Sequence, residues 1–192
     1  YLYIVTEFVD GQTLTQWIID NPKPELETVR GIIEQIAKGL QAFHRMEMLH
    51  QDLRPENIMI DGTGTVKIID FGSTRVAGVV ETASADERPH LLGTAQYAAP
   101  EYFLGEAGST RSDMFSLGVI SYQMLTGKLP FPGPDFLVQK ERMKYLPAKQ
   151  LVPELPKNTD LLFVATLALD PKLRVGDAAE LIDSLKSLTS DN

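Results

Sequence analysis

Apolar positions in this chain change period several times, and each change marks an element. Tyr1–Val9 is dense in β-branched and aromatic residues and predicts a strand, ended by Asp10-Gly11. Thr13–Ile19 predicts a short helix capped by Thr13 or Thr15. Pro22 and Pro24 break the chain. From Thr28 to Met46, apolar residues fall at Val29, Ile32, Ile33, Ile36, Leu40 and Phe43. That spacing is helical and predicts one buried stripe. Two short apolar runs follow, Ile58–Ile60 and Val66–Ile69, separated by Asp61-Gly62-Thr63-Gly64-Thr65. They read as a β-hairpin. Residues 71–110 show little periodicity and many Gly, Ser, Thr and Ala. A loop of that length in a compact domain is usually functional or disordered. Helical patterning returns over 112–126, 134–144, 158–169 and 176–188, with Pro-rich stretches at 129–134 and 147–156 between helices. The whole predicts one mainly α-helical unit with a small β-hairpin.

Composition changes this picture only at its margins. The 192 residues are 43% hydrophobic and 23% charged, a globular balance that argues against disorder, collagen and coiled coil. A chain this long buries roughly 70% of its unfolded surface and needs no staple. There is no cysteine, which excludes disulfides, thiolate zinc sites and a cysteine nucleophile, and fits a cytoplasmic setting. With 18 Lys+Arg against 26 Asp+Glu the net charge is −8 and no basic run occurs, so no nucleic-acid partner is expected. No apolar stretch reaches the ~18–20 residues of a membrane span, and no signal peptide opens the chain. The start at Tyr1, in strand-like sequence without an initiator Met, reads as a piece of something longer.

Candidate chemistry concentrates in His50-Gln51-Asp52-Leu53-Arg54-Pro55-Glu56-Asn57, between the long helix and the hairpin. An Asp and an Asn at this spacing can converge. The carboxylate can accept a proton or orient a hydroxyl, and the amide oxygen can ligate a hard metal. Asp70-Phe71-Gly72 follows the second hairpin strand. Its carboxylate can complete an oxygen-ligand Mg²⁺ site, and Gly72 permits a sharp turn. Taken singly, Asp52 reads equally as a cap or turn residue, and Asp70-Phe71-Gly72 as a plain turn.

Together and in this order, these segments resemble the catalytic loop and the magnesium-binding motif of eukaryotic-like (Hanks-type) Ser/Thr protein kinases. Further motifs follow in the family's order. Gly93-Thr94-Ala95-Gln96-Tyr97-Ala98-Ala99-Pro100-Glu101 resembles the end of the activation segment, and Ser112-Asp113-Met114-Phe115-Ser116-Leu117-Gly118 the buried helix after it. Asp170-Pro171-Lys172-Leu173-Arg174 resembles the late motif whose Arg pairs with the glutamate of Pro100-Glu101. The resemblance implies a kinase catalytic domain over 1–192, represented by its hinge (1–12) and C-terminal lobe, with the activation segment over 70–101. The run through HQDLRPEN and IDFGSTR looks most like bacterial kinases joined to a metal-dependent phosphatase domain, which would then lie in the same polypeptide.

The same resemblance assigns roles. Asp52 would accept or orient the proton of a protein Ser/Thr hydroxyl, and Asn57 and Asp70 would hold Mg²⁺ against the phosphates of ATP. Arg54 stands where Ser/Thr kinases usually carry Lys, which changes a point charge into a planar fork. Thr94 would bond to Asp52 and Arg54 and help form the substrate pocket. The backbone of Glu7 and Val9 would bind adenine, Thr6 would be the gatekeeper, and Met59 would form part of the adenine floor. Asp113 would bond the backbone of the catalytic loop, Glu101 and Arg174 would pair in the core, and His50 would be a core histidine bonded to backbone. His44, His90 and Trp17 are assigned to packing or surface.

Two departures modify the expectation. Gln51 replaces the Arg that normally pairs with activation-loop phosphate, so phosphorylation at Thr82 or Ser84 is not expected to act as an on-switch. The chain also has no G-x-G-x-x-G loop, no strand Lys for the phosphates and no helix Glu to pair with it. Gly62 and Gly64 belong to the hairpin, and Lys67 is too close to Asp70 to substitute. The β-rich N-terminal lobe that covers ATP is therefore expected to be absent, leaving this chain inactive or nearly so alone. Its loss would expose apolar surface around Tyr1–Phe8 and Met59 and favour self-association. A pseudokinase-like protein-binding module and a small-molecule phosphotransferase are the competing readings.

Overall fold

The computed structural model describes residues 6–70, 75–76 and 95–188. Tyr1–Val5, the first part of the expected strand, lie outside the described residues, and Thr6–Val9 form no strand; among the described residues pairing begins at Gly11, where the sequence pattern had the strand end. Strand β1 (Gly11–Thr13) lies antiparallel to β3 (Ile58–Asp61), with Gly11 opposite Asp61 and Thr13 opposite Met59. The reason is steric. A Cβ on Gly11 would stand 2.2 Å from the Ile60 carbonyl oxygen, so only glycine lets the backbones approach this closely. Gly11→Val is expected to lower stability by about 1–3 kcal/mol in urea unfolding. An unchanged midpoint would remove this account of the pairing.

The hairpin forms as expected: β3 pairs with β4 (Val66–Ile68), Met59 opposite Lys67, giving the order β1–β3–β4. Asp61 Oδ1 accepts from the backbone N–H groups of Thr63 and Thr65, which closes the turn. A separate two-stranded pair joins β2 (Met48–Leu49) to β5 (Arg75–Val76).

Helix α1 (Leu14–Asp20) starts at Thr13, whose Oγ1 accepts from the Gln16 N–H at 3.3 Å, and it buries Leu14 and Trp17. Helix α2 (Leu26–Arg45) buries Val29, Ile32, Ile33, Ile36 and Leu40, five members of the expected stripe; Phe43 is half-buried. The polar side of α2 also has a structural task. Gln35 donates to the Gly64 carbonyl at 3.2 Å and accepts from the Val66 N–H at 3.0 Å, clamping the hairpin to the helix.

Helix α3 (Thr110–Thr126) is buried nearly all round and forms the centre of the core. It crosses α6 (Thr159–Thr166) so closely that a Cβ on Gly118 would lie 2.7 Å from Thr166. Helix α4 (Phe136–Glu141) is shorter than its pattern over 134–144. Its end is set by Met143, whose φ of 48° turns the backbone left-handed. A one-turn helix α5 (Ala148–Leu151) sits inside the stretch read as a Pro-rich separator, with Pro147 just before its first residue. Helix α7 (Ala178–Lys186), capped by Asp177, packs along α2.

Candidate functional site

The loop after β2 is held by a single buried carboxylate. Asp113, inside α3 and wholly buried, accepts from the backbone N–H of His50 (3.0 Å) and of Gln51 (3.0 Å). Its expected bond to the catalytic-loop backbone is thus present. His44 Nε2 lies 2.8 Å from the same carboxylate, so His44 has a partner, contrary to its assignment as packing or surface. Nothing in the sequence paired it with a residue 69 positions away. Trp17 does lie in the core, whereas His90 is outside the described residues. Gln51 is bent into the left-handed region (φ 67°), as is Asp70 (φ 62°). Non-glycine residues held this way cost on the order of 1–3 kcal/mol each and cluster at functional sites.

His50 is wholly buried beside this anchor. Burial pushes its imidazole pKa down, opposed by Asp113 and by a hydrogen bond with the Ile69 backbone. Ile69 in turn donates its N–H to the Asn57 carbonyl at 2.8 Å. The end of β4, and with it Asp70, is thereby tied to the loop.

The three polar residues singled out in that loop come together. Asn57 closes a 3₁₀ turn (Pro55–Asn57), and its Nδ2 donates to the Asp52 carbonyl at 2.8 Å and to Asp52 Oδ2 at 3.1 Å. Arg54 Nε stands 3.7 Å from Asp52 Oδ2. The other carboxylate oxygen, Asp52 Oδ1, is buried without a hydrogen-bond partner. A buried carboxylate oxygen left open in this way is poised to accept a hydrogen bond from a ligand. Burial raises the Asp52 pKa, and the nearby charge of Asp70 adds to the rise; Arg54 and Asn57 oppose it.

Mg²⁺ was expected at Asn57 and Asp70. With Nδ2 engaged by Asp52, the Asn57 amide has its hard carbonyl oxygen to offer, and Asp70 supplies a carboxylate at the neighbouring strand end. Among the described residues no three His, Cys, Asp or Glu side chains form a metal cage. Mg²⁺ bound by one or two protein oxygens, with phosphates completing its shell, suits this donor set.

The expected adenine-contacting residues gather at the sheet. Met59 is half-buried in β3, flanked in register by Thr13 and Lys67. Glu7 is exposed and pairs through its side chain with Lys67, which brings the first described residues against β4. Val9, two residues on from Glu7, is half-buried. Thr94, Phe71, Gly72, Thr82 and Ser84 lie outside the described residues, as does most of 70–101.

Behind the loop, Glu101 and Arg174 pair as expected. Arg174 Nη1 and Nη2 donate to Glu101 Oε1 (2.7 Å) and Oε2 (2.8 Å), and Ser112 Oγ donates to Oε1 at 2.6 Å. Burial pushes the Glu101 carboxyl up, but the bonds from Arg174 and Ser112 outweigh it and hold the pKa below its ordinary value. Among the described residues, one buried charged residue went unremarked in the sequence: Lys140, on α4.

A helical body that offers an Asp and an Asn from one loop, and a second Asp from the hairpin end, has the architecture of a kinase-class domain. The chain belongs to the protein kinase family: the family model described as protein kinase domain matches residues 1–185. It is 35% identical over 186 residues to the serine/threonine-protein kinase PknA of Mycobacterium tuberculosis, covering 97% of this chain and 42% of that protein. It is 34% identical over 183 residues to PknB of Mycobacterium leprae, covering 93% of this chain and 29% of that protein. Serine/threonine-protein kinase pkn2 of Myxococcus xanthus is 34% identical over 195 residues, with coverage of 97% and 23%. The chain therefore spans less than half the length of these relatives. Among the described residues no helix is long and apolar enough to cross a membrane.

Proposed function

We propose that this chain is the hinge and C-terminal lobe of a bacterial serine/threonine protein kinase, and that its parent transfers the γ-phosphate of ATP to protein Ser/Thr hydroxyls. The open, buried Oδ1 of Asp52, whose Oδ2 is held by Asn57, carries this reading. Asp52 orients the substrate hydroxyl and takes its proton. Arg54 offers positive charge beside it, and Thr94 completes the substrate pocket. Asn57 and Asp70 are the oxygen donors for Mg²⁺, and the backbone of Glu7 and Val9, with Met59, forms the adenine contacts. Bound Mg–ATP supplies the phosphoryl group and neutralises charge on it. Positioning is most of what the protein contributes to such a reaction.

The missing glycine-rich loop, strand Lys and helix Glu support a further part of the proposal: the chain alone is inactive and works with a β-rich lobe preceding Tyr1. Phe8, 86% exposed, marks the apolar surface that lobe would cover and through which the isolated chain would self-associate. The resemblance of HQDLRPEN and IDFGSTR to phosphatase-linked kinases supports a phosphatase domain in the same polypeptide. An ATP-dependent activity supports a cytoplasmic location.

The test compares this chain with one extended by about 70–100 native upstream residues, in Mg–ATP with a generic Ser/Thr peptide. The extended form is expected to transfer phosphate, the chain alone not, and EDTA to abolish transfer. An extended form that neither transfers phosphate nor binds Mg–ATP would replace this reading with the binding module.

A further inference from the structure

Lys140 is 1% exposed, a rare place for a lysine. Its Nζ donates to the carbonyl oxygens of Ala95 (2.7 Å) and Ala98 (2.6 Å). The rings of Phe103, Phe115, Phe131 and Phe136 surround the same nitrogen, with centroids 5.4, 5.5, 6.0 and 5.2 Å away. The cage is dry enough that burial pushes the lysine pKa down to about 7, with Glu101 opposing and Arg174 adding to the fall. A leucine or methionine would fill an aromatic cage without desolvating a charge. What Lys140 adds is a pair of strong hydrogen bonds to two specific carbonyls.

Those carbonyls bracket Tyr97. The Tyr97 hydroxyl donates to Gln123 Oε1 of α3 at 2.7 Å, and the ring lies close enough to the catalytic loop to feel the charges of Glu56 and Arg54. Segment 95–98 is therefore held from α4 by Lys140 and from α3 by Gln123, within electrostatic reach of Glu56 and Arg54 on the loop that carries Asp52. It follows directly on Thr94, the residue assigned to the substrate pocket.

We propose that Lys140 is a positioning residue for the protein substrate: by pinning Ala95 and Ala98 it sets where segment 95–98, and the peptide lying against it, sits relative to Asp52. This rests on the kinase reading above. Lys140→Met keeps the apolar stem and removes both bonds. Lys140→Arg keeps donors. Phe131→Leu loosens the cage from another side and leaves the carbonyl bonds in place.

The kinase carrying its native upstream residues is assayed with a Ser/Thr peptide and Mg–ATP. Lys140→Met is expected to raise the peptide KM about tenfold, with the KM for ATP and kcat within about twofold. Lys140→Arg recovers part of that loss. Phe131→Leu lowers the melting temperature and leaves the peptide KM unchanged. Hydrogen exchange on the 192-residue chain gives a second readout, in which Lys140→Met speeds exchange at the amides of Gln96–Ala99 and not in α3. An unchanged peptide KM overturns the proposal, as does a fall in kcat at constant KM. Faster exchange across α3 also overturns it, because Lys140 then serves global stability. Failure of the unsubstituted kinase to transfer phosphate, or transfer that survives Asp52→Asn, overturns the kinase reading instead.

Discussion

In the kinase carrying its native upstream residues, Asp52→Asn is expected to reduce phosphotransfer by about two to four orders of magnitude, the usual contribution of a positioned general base. The substitution preserves shape, and an amide oxygen can still accept from Asn57 Nδ2. What it removes is the open Oδ1 carboxylate oxygen. In its place stands either a far weaker base or an amide donor facing the incoming hydroxyl. Stability is expected to hold or rise slightly. Burial holds the Asp52 carboxyl above its ordinary pKa, so the folded state carries the charge at a cost that a neutral amide relieves. Steady-state phosphotransfer and thermal unfolding on the same samples separate the two effects. Retention of more than about a tenth of the activity would mean that Asp52 is not the base.

The second large effect is on stability. Arg174→Met is expected to lower the unfolding free energy by roughly 3–5 kcal/mol, because it strands the Glu101 carboxylate in the core. The loss exceeds that of one ion pair, since Arg174 also donates to the carbonyls of Ala168 (2.6 Å) and Leu169 (2.9 Å) and stacks over Phe115. Adding Glu101→Leu to Arg174→Met should restore part of the loss, since the uncompensated charge is then gone. The pH dependence has a definite sign. Glu101 titrates below its ordinary value of 4.5 when folded, so its contribution is present above 4.5 and is lost as the pH falls through the lowered value. Arg174→Met should flatten that acid limb. An equal slope in both proteins, or a stability change under about 1 kcal/mol, would show that the pair does not carry this part of the core.

Periodicity made α2 and the hairpin legible because each writes burial directly into residue order, whereas α3, buried nearly all round, was marked by its resemblance to the family's buried helix. The first strand among the described residues was not legible. Composition favoured Tyr1–Val9, whereas the pairing at Gly11–Thr13 follows from a missing side chain that lets two backbones meet. Helix α5 was hidden because prolines mark breaks in sequence yet also suit the approach to a helix. In the candidate site, ordered motifs pointed to Asp52, Arg54, Asn57 and Asp70, of which the structure groups the first three, and to the contacts of Asp113 and of Glu101 with Arg174, which it shows. They could not identify His44 or Lys140. A His or Lys at helical spacing looks like surface until a tertiary contact is known, and both have partners more than forty residues away in sequence.

Asp113 ties the fate of the catalytic loop to that of the core. With one carboxylate holding both the His50 and Gln51 amides, the loop cannot loosen without withdrawing a buried charge from its donors. The loop and α3 therefore form one cooperative unit rather than a rigid body with a soft edge. In the proposed kinase, core substitutions far from Asp52, such as at Gly118 against Thr166, would then reach phosphotransfer through the population of intact molecules. Variation that erodes the core would then lower phosphotransfer and folded population together.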